Sequence, residues 1–356
     1  MRAMVLAAGV GSRLEPLTNQ VPKPMVPIAN KPVMQHILSL CKRHGITEVI
    51  SNLHYQADKI QEYFGDGSQF GMKLQFHFEK ELTGDAGGVR ACKKFFGDET
   101  FIVLMGDLLT DADLTRIIAE HKSKKALASI AIKRMEDVTQ FGVVVTNEHG
   151  FITGFQEKPK KEEALSNHIS TGIYVLEPEV FKHIPEAGTY GFGRQLFPTL
   201  VQQGLPVLGV RIDEHYWSDV GTIAQYRAAN FAVLDGDVKV EVAGRPHDHG
   251  LVEENATIAT DAVLDGKIYL GSGSSISAGV KIRGRVLIGD NCSIETGAEL
   301  EDTIVWSGTK IGSGAKLTHC VVGSDCAVQA GTTQKEVASV SLSPTLQGSS
   351  KEREAV

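Results

Sequence analysis

Met4-Val5-Leu6-Ala7-Ala8-Gly9-Val10-Gly11-Ser12-Arg13-Leu14, followed closely by Pro22-Lys23-Pro24-Met25, opens the chain. A short apolar run that breaks into glycines and then a cation is the pattern of a strand ending at the edge of a sheet. The glycines free the backbone at that edge, so its N–H groups can approach a phosphate closely. No Gly-Lys-Ser/Thr closes the loop, so it is not a P-loop, and Leu14 stands where a dinucleotide fingerprint would carry its third glycine. A connection of about 20 residues without apolar periodicity is longer than a plain turn into a helix needs.

Around this opening, apolar runs alternate with amphipathic stretches as far as residue 235, the pattern of a sheet flanked by helices. The clearest strands are expected at Met4 to Ala8, Glu48 to Leu53, Phe101 to Met105, Ala128 to Ile132 and Gly142 to Val145. Met34, Ile37, Leu38 and Cys41 fall at helical spacing between the first two, with Gly45 where a left-handed residue would end the helix.

Beyond Gly244-Arg245-Pro246 the period changes. Val252, Ile258, Leu264, Leu270, Ile276, Ile282, Ile288, Ile294 and Leu300 recur every six residues, and small or β-branched side chains follow each by four, from Ala256 through Cys292 to Ile304. Helices cannot use a period of six; a triangular β-solenoid can, because three six-residue faces complete one coil that buries its inward residues on the next. The alternative, a series of antiparallel hairpins, lacks strict alternation and Asn-Gly turns. Five-residue steps to Val305 and again to Val322 predict turns of unequal length. The expected organisation is a catalytic domain over 1–235, a linker over 236–250, hexapeptide repeats over 251–333 and a disordered tail over 334–356, since Ser339 to Val356 is rich in serine and charge.

A chain of 356 residues with 42% hydrophobic residues, 22% charged residues and a net charge of −7 is long enough for two cores and carries no basic excess. Nucleic acid is therefore not an expected partner. Neither is a membrane: no apolar run reaches the roughly 20 residues a spanning helix needs, and the N-terminus lacks a signal-peptide layout. A cytoplasmic location is expected. Cys41, Cys92, Cys292, Cys320 and Cys326 are scattered, odd in number and without CxxC pairing, which fits reduced, core-filling thiols.

The loop Gly9-x-Gly11-x-Arg13-Leu14, Pro16-Leu17-Thr18 and Pro22-Lys23-Pro24-Met25 resembles the signature loop of the sugar-phosphate nucleotidyltransferases, or NDP-sugar pyrophosphorylases. Four further segments match in order: Gly84-Asp85-Ala86-Gly87-Gly88, Gly106-Asp107, Glu157-Lys158-Pro159 and Trp217-Ser218-Asp219-Val220-Gly221-Thr222. The resemblance implies an α/β fold, a Rossmann-like nucleotidyltransferase domain with mixed sheet, followed by a left-handed parallel β-helix. It also implies a reaction between a nucleoside triphosphate and a sugar-1-phosphate that releases pyrophosphate. Two polyanions must meet there, so cations and a metal matter more than a covalent nucleophile.

By that resemblance Arg13 and Lys23 face the triphosphate as a planar fork and a point charge, with Gly9, Gly11, Ser12, Asp85 and Gly87 binding the nucleotide. Asp107 follows an apolar strand, so it belongs at the carboxyl edge where open α/β sheets place ligands. The resemblance pairs it with Asp219 as holders of Mg2+, a hard cation suited by two carboxylates, phosphate oxygens and water. Lys158 is implied to bind the sugar phosphate and Glu157 the sugar hydroxyls, helped by backbone at Gly142, Thr171 and Gly172. Strand alternation would turn Glu157 and Lys158 to opposite faces, unless Pro159 twists the chain. Asp85 replaces the threonine usual in its motif and could accept from guanine, which would favour GTP. The whole-chain layout, including Ser170-Thr171-Gly172-Ile173-Tyr174-Val175 and the solenoid, resembles most the bacterial mannose-1-phosphate guanylyltransferase-like proteins, which implies mannose-1-phosphate; glucose-1-phosphate uridylyl or thymidylyl transfer is the alternative. Hexapeptide solenoids also occur in acyltransferases, but no histidine stands in a loop insertion except His319. A non-enzymatic sensor of nucleotide sugars would be expected to have lost one of the charged residues, and none is missing. The solenoid is expected to mediate homo-oligomer assembly or regulation.

Overall fold

The computed structural model describes residues 1–340. In the first half, Arg2–Leu6 lies between Glu48–Leu53 and Phe101–Met105, parallel to both, and Lys73–Phe78 extends the parallel set. His168–Leu176 pairs antiparallel with Phe101–Met105, Ala128–Arg134 and Gly142–Thr146, which makes the sheet mixed. Ile152–Glu157 and Val207–Arg211 extend it beyond those strands. Ala3 to Val5 and Phe101 to Leu104 have no exposed surface, because helices cover both faces of these central strands and their side chains need no polar alternation.

The expected strands at Glu48–Leu53 and Phe101–Met105 form with those bounds. The first strand ends at Leu6 rather than Ala8, because the Ala7 N–H donates to the Asn52 side chain at 3.0 Å instead of continuing the ladder. The helix Val33–Arg43 buries Met34, Ile37, Leu38 and Cys41 on one side, and Gly45 follows it at a φ of 76°.

The C-terminal half is strand-rich, and the pairing is parallel from one coil to the next. Thr257 pairs with Ser275 and Ser275 with Ser293, so a coil takes 18 residues; Ser293 then pairs with Lys310 and Lys310 with Ala327, a coil of 17. The missing residue lies at one corner. Arg283 is opposite Glu301, but Leu287 is opposite Ile304. This is where the sequence stepped by five, and the corner is closed by Asp302 at a φ of 45°. The shorter corner also changes who faces inward: Thr303 is fully buried, its hydroxyl donating to the Leu317 carbonyl at 3.2 Å, while Ile304, expected inside, turns outward.

Two boundaries shift. Arg245–His247 pairs antiparallel with Gly250–Val252, so the end of the expected linker is already part of the first coil. Thr333–Lys335 and Ala338–Ser339 pair with the preceding coil, so repeat structure passes residue 333 into the expected tail, whose residues 341–356 lie outside the described ones.

The outward Ile304 is one of a row. Tyr269, Leu287, Ile304 and Val321 stack on successive coils, and all are buried in an apolar cluster with Leu14, Leu17, Val26, Ile28 and Tyr226 of the first half. At about 2 kcal/mol for each large side chain removed from water, that row is enough to dock the solenoid on the sheet domain.

Candidate active site

The loop after Arg2–Leu6 is held by its own apolar residues. Leu14 and Leu17 are fully buried, so Ser12–Leu14 folds as a single 3-10 turn that leaves Ser12 and Arg13 exposed at the sheet edge. Gly11 has a φ of 75°, and a Cβ added there would lie 2.8 Å from the Lys23 Cβ. Glycine is thus required twice over, by conformation and by space. The loop brings Lys23 back under the glycines, with a side chain only 11% exposed and its ammonium ion-paired to Asp107.

Asp107 follows Phe101–Met105, and Asp219 ends the short strand Trp217–Asp219, whose partner is Leu108–Thr110. The Val220 N–H donates to the Asp107 carbonyl at 2.9 Å, which fixes the two aspartates side by side. Desolvation raises the Asp219 carboxyl above its usual range; the Asp107 carboxylate raises it further, and Lys23 and Arg13 oppose this. The Gln225 amide donates to Asp219 Oδ1 at 2.6 Å. A Cβ on Gly221 would meet Asp219 Oδ2 at 2.8 Å, Gln225 Oε1 at 3.0 Å and an Arg13 guanidinium nitrogen at 3.3 Å. Absence of a side chain at Gly221 is what lets these three groups converge.

Two cavities meet at this point. One, of about 280 Å³, is lined by Ala7, Ala8, Gly9, Lys23, Asn52, Glu79, Leu82, Gly84, Asp85 and Asp107. The other, of about 210 Å³, is lined by Asp107, Asp219, Gly142, Glu157, Lys158, Thr171, Gly172, Gly193 and Trp217. Asp85, Met105 and Asp107 border both. Of the residues expected to serve the nucleotide, Gly9, Lys23 and Asp85 line the first space, while Gly11, Ser12 and Arg13 line neither; those expected to serve the sugar phosphate line the second, and Asp107 stands between the two. Gly87 lines neither: its N–H donates to the Tyr190 carbonyl at 3.0 Å, and its bare Cα lets Thr83 pack closely.

Glu157 and Lys158 do line the same cavity. The strand Ile152–Glu157 stops before Lys158, which adopts a left-handed φ of 49° while its N–H donates to the Phe141 carbonyl at 3.0 Å. The reversal sits in Lys158 itself, ahead of the expected Pro159. Gly142 and Gly193 leave room for the Glu157 carboxylate. That carboxyl is raised by desolvation in the cavity, with Lys158 opposing. Gly172, at a φ of 77°, lies where His168–Leu176 changes register between Ser170 and Tyr174, and opens the strand towards Met105. The Thr171 side chain is turned away: its hydroxyl donates to the Ala131 carbonyl at 2.7 Å, and its own carbonyl accepts from the Trp217 indole at 2.8 Å.

Asp85 opens the helix Asp85–Ala91, and its Oδ1 accepts from the N–H groups of Ala86 at 2.8 Å and Phe192 at 2.7 Å. Desolvation raises this carboxyl. Asp85 thus ties the segment around Phe192 to the junction of the cavities.

Several residues at the site were not found from sequence. Glu79, 4% exposed, accepts from Asn52 Nδ2 at 2.6 Å and from the Thr83 hydroxyl at 2.8 Å, and together they form the wall of the first cavity. Asn52 lies near the carboxyl end of a strand, the same signal that picked out Asp107. Gln225 had a signal too. Thr222-x-x-Gln225 is a capping-box pattern, and Thr222 Oγ1 does accept from the Gln225 N–H at 3.2 Å. His319 is engaged elsewhere, within 2.8 Å of an Arg227 guanidinium nitrogen. Among the described residues no helix is long and apolar enough to cross a membrane.

A cleft at the carboxyl edge of an α/β sheet, with a glycine loop, two cations and two carboxylates between adjoining cavities, defines an enzyme of phosphoryl or nucleotidyl transfer. Similarity to known proteins agrees. The profile described as Nucleotidyl transferase matches residues 2–236, and that described as GMPPB C-terminal domain matches 264–343. The chain is 40% identical over 338 residues to a UTP–glucose-1-phosphate uridylyltransferase of Synechocystis sp., covering 90% of this chain and 87% of that one. It is 31% identical to a mannose-1-phosphate guanylyltransferase of Mycobacterium tuberculosis, over 79% and 77% of the two chains. A crystal structure of a Bacillus anthracis protein named for glucose-1-phosphate thymidylyltransferase activity, in complex with a sucrose, superposes with a TM-score of 0.61 at 25% identity, covering 67% of this chain and 96% of that one. The chain belongs to the Nucleotidyl transferase family, as a sugar-1-phosphate nucleotidyltransferase.

Proposed function

We propose that the substrates are UTP and glucose-1-phosphate and the products UDP-glucose and pyrophosphate. A phosphate oxygen of the sugar-1-phosphate attacks the α-phosphorus, the new P–O–P bridge forms, and the α–β bond breaks with pyrophosphate leaving. The observation that carries the choice of base is the state of Asp85. Its Oδ1 already accepts two backbone N–H bonds, from Ala86 and Phe192, so the side chain is committed to holding the helix start and the neighbouring segment and does not offer both oxygens to the N1–H and 2-amino group of guanine. The identity to the uridylyltransferase over most of both chains supports the same reading. A second reading, GTP with mannose-1-phosphate, was the expectation from sequence. It is favoured by the match of residues 264–343 to the GMPPB C-terminal domain.

In this reading the nucleotide occupies the cavity beside Gly9 and Lys23, and the sugar phosphate the cavity beside Glu157 and Lys158. Arg13 and Lys23 neutralise the leaving pyrophosphate, Lys158 holds the attacking phosphate, and Glu157 accepts from sugar hydroxyls. Asp107 and Asp219 fit Mg2+. Held side by side, they offer two hard carboxylate donors and leave the remaining positions of an octahedral ion to phosphate oxygens and water. Bound there, Mg2+ would offset charge on the phosphates. The chain's own residues orient the two substrates in line and hold Asp219 towards the shared edge through Gln225. We take the solenoid to be a left-handed β-helix. Its face bearing Tyr269 and Leu287 is docked within the chain, so assembly of a homo-oligomer would use the remaining faces.

The test is a matrix of GTP, UTP, dTTP, ATP and CTP against mannose-, glucose- and N-acetylglucosamine-1-phosphates, read as pyrophosphate release. The highest kcat/KM is expected for UTP with glucose-1-phosphate. A GTP and mannose-1-phosphate maximum would overturn the choice of substrates in favour of the second reading.

A further inference from the structure

The solenoid reaches the catalytic loop directly. Gln20 lies in the connection between Arg13 and Lys23, and its side-chain amide closes a two-bond clamp on Ser324 of a solenoid turn: Nε2 donates to the Ser324 carbonyl at 2.9 Å, and the Ser324 N–H donates to Oε1 at 2.9 Å. The neighbouring Gly323 admits this approach only because it has no side chain; a Cβ there would overlap Gln20 Oε1. A second tie lies just beyond Lys23. The Trp306 indole donates to the Tyr226 hydroxyl at 2.7 Å, which in turn donates to the Pro27 carbonyl at 2.7 Å. Both ties are polar, directional bonds, the second of them inside the apolar cluster that docks the solenoid, and they bracket the segment that presents Lys23.

We propose that the solenoid is a positioning part of the nucleotide site, with Gln20 and Trp306 as the residues through which it holds the loop carrying Arg13 and Lys23. Burying the face around Tyr269 and Leu287 would dock the two halves without any bond to that loop. The clamp adds direction: it fixes the backbone between two cations whose spacing the triphosphate must match, and a displacement of about 1 Å at such groups is enough to slow catalysis. The loop bonded to the solenoid supplies Lys23 to the first cavity, and no residue in these two ties lines the second, so the solenoid's effect falls on the nucleotide and not on the sugar phosphate.

This rests on the triphosphate binding beside Gly9 and Lys23, so the experiment uses the full chain with whichever substrate pair the matrix selects, and adds direct titration of the nucleotide alone. Gln20→Ala is expected to weaken nucleotide use, as kcat/KM, on the order of tenfold, the scale of two lost hydrogen bonds. The sugar-1-phosphate KM should stay unchanged, and the melting temperature should fall by no more than a few degrees. Gly323→Ala, whose methyl would overlap Gln20 Oε1 and also press on Val340 Cγ1, should give the same nucleotide-selective loss. Trp306→Phe, which keeps the ring and removes the donor, should reproduce the nucleotide-selective loss. Unchanged nucleotide constants in Gln20→Ala would overturn the proposal, as would a loss spread equally over both substrates and tracking the melting temperature. Absence of nucleotide binding in the unaltered chain would instead sink the assignment of the first cavity.

Discussion

Gly11 packs directly on Lys23, in a left-handed conformation that leaves 2.8 Å between a would-be methyl and the lysine Cβ. Gly11 and the cation proposed to serve the triphosphate are thus one packed unit. Gly11→Ala should lower stability by about 1–2 kcal/mol through backbone strain alone, and should move Lys23 off Asp107. Turnover is expected to drop more than stability can explain, which thermal melts and kcat measured on the same preparation will separate.

Asp107 stands between the two cavities, so in the proposed reaction its charge would serve both substrates. Asp107→Asn keeps the shape and removes the charge. We expect kcat to fall by about 10²-fold or more, with Mg2+ no longer stimulating pyrophosphate release. Circular dichroism should show the fold intact, and turnover near that of the unaltered chain would refute the role.

Asp219 makes an opposite prediction for stability and activity. Its carboxyl is raised, so the folded chain holds that proton more tightly than the unfolded one. Ionising it costs stability as pH rises from the usual carboxylate value of 3.8 through the raised one, so the penalty is complete above the raised value. Asp219→Asn should therefore melt higher than the unaltered chain at pH 7, while losing metal-dependent activity. In the unaltered chain the apparent affinity for Mg2+ should weaken on acidification at a pH above the ordinary carboxylate range. A melting temperature that falls at pH 7 in the variant would contradict this.

Lys158 combines a charge with a left-handed backbone, and two substitutions separate them. Lys158→Ala removes the ammonium and keeps the strain; Lys158→Gly removes both. Each should raise the KM for the sugar-1-phosphate by roughly tenfold or more, the scale of a charged hydrogen bond, and leave the nucleotide KM alone. The glycine variant should be the more stable of the two by about 1 kcal/mol. Equal effects on both substrates would place Lys158 elsewhere in the reaction.

The strand Phe101–Met105 was legible because a strand buried on both faces is written as an uninterrupted apolar run, and Glu48–Leu53 because it centres on the β-branched pair Val49-Ile50. The repeat was legible for a similar reason: a period of six has one cheap structural solution. Asn52, Glu79 and Gln225 were not. Each acts through a partner distant in sequence or through a side chain that local pattern spends on a cap, and no periodicity marks it.

By itself the sequence determined the order of the elements, the loop Gly9 to Met25, the coil length and the position of its short corner. These follow from local conformational preference and from hydrophobic spacing, which are properties of neighbouring residues. Tertiary structure alone decided that Ile304 faces the catalytic half, that Lys158 reverses to share a cavity with Glu157, and that Gln20 meets Ser324. Each of those depends on which surfaces meet. One apolar row, Tyr269, Leu287, Ile304 and Val321, can leave water only against Leu14, Leu17 and Tyr226, and that contact carries the solenoid to the loop with which the chain begins.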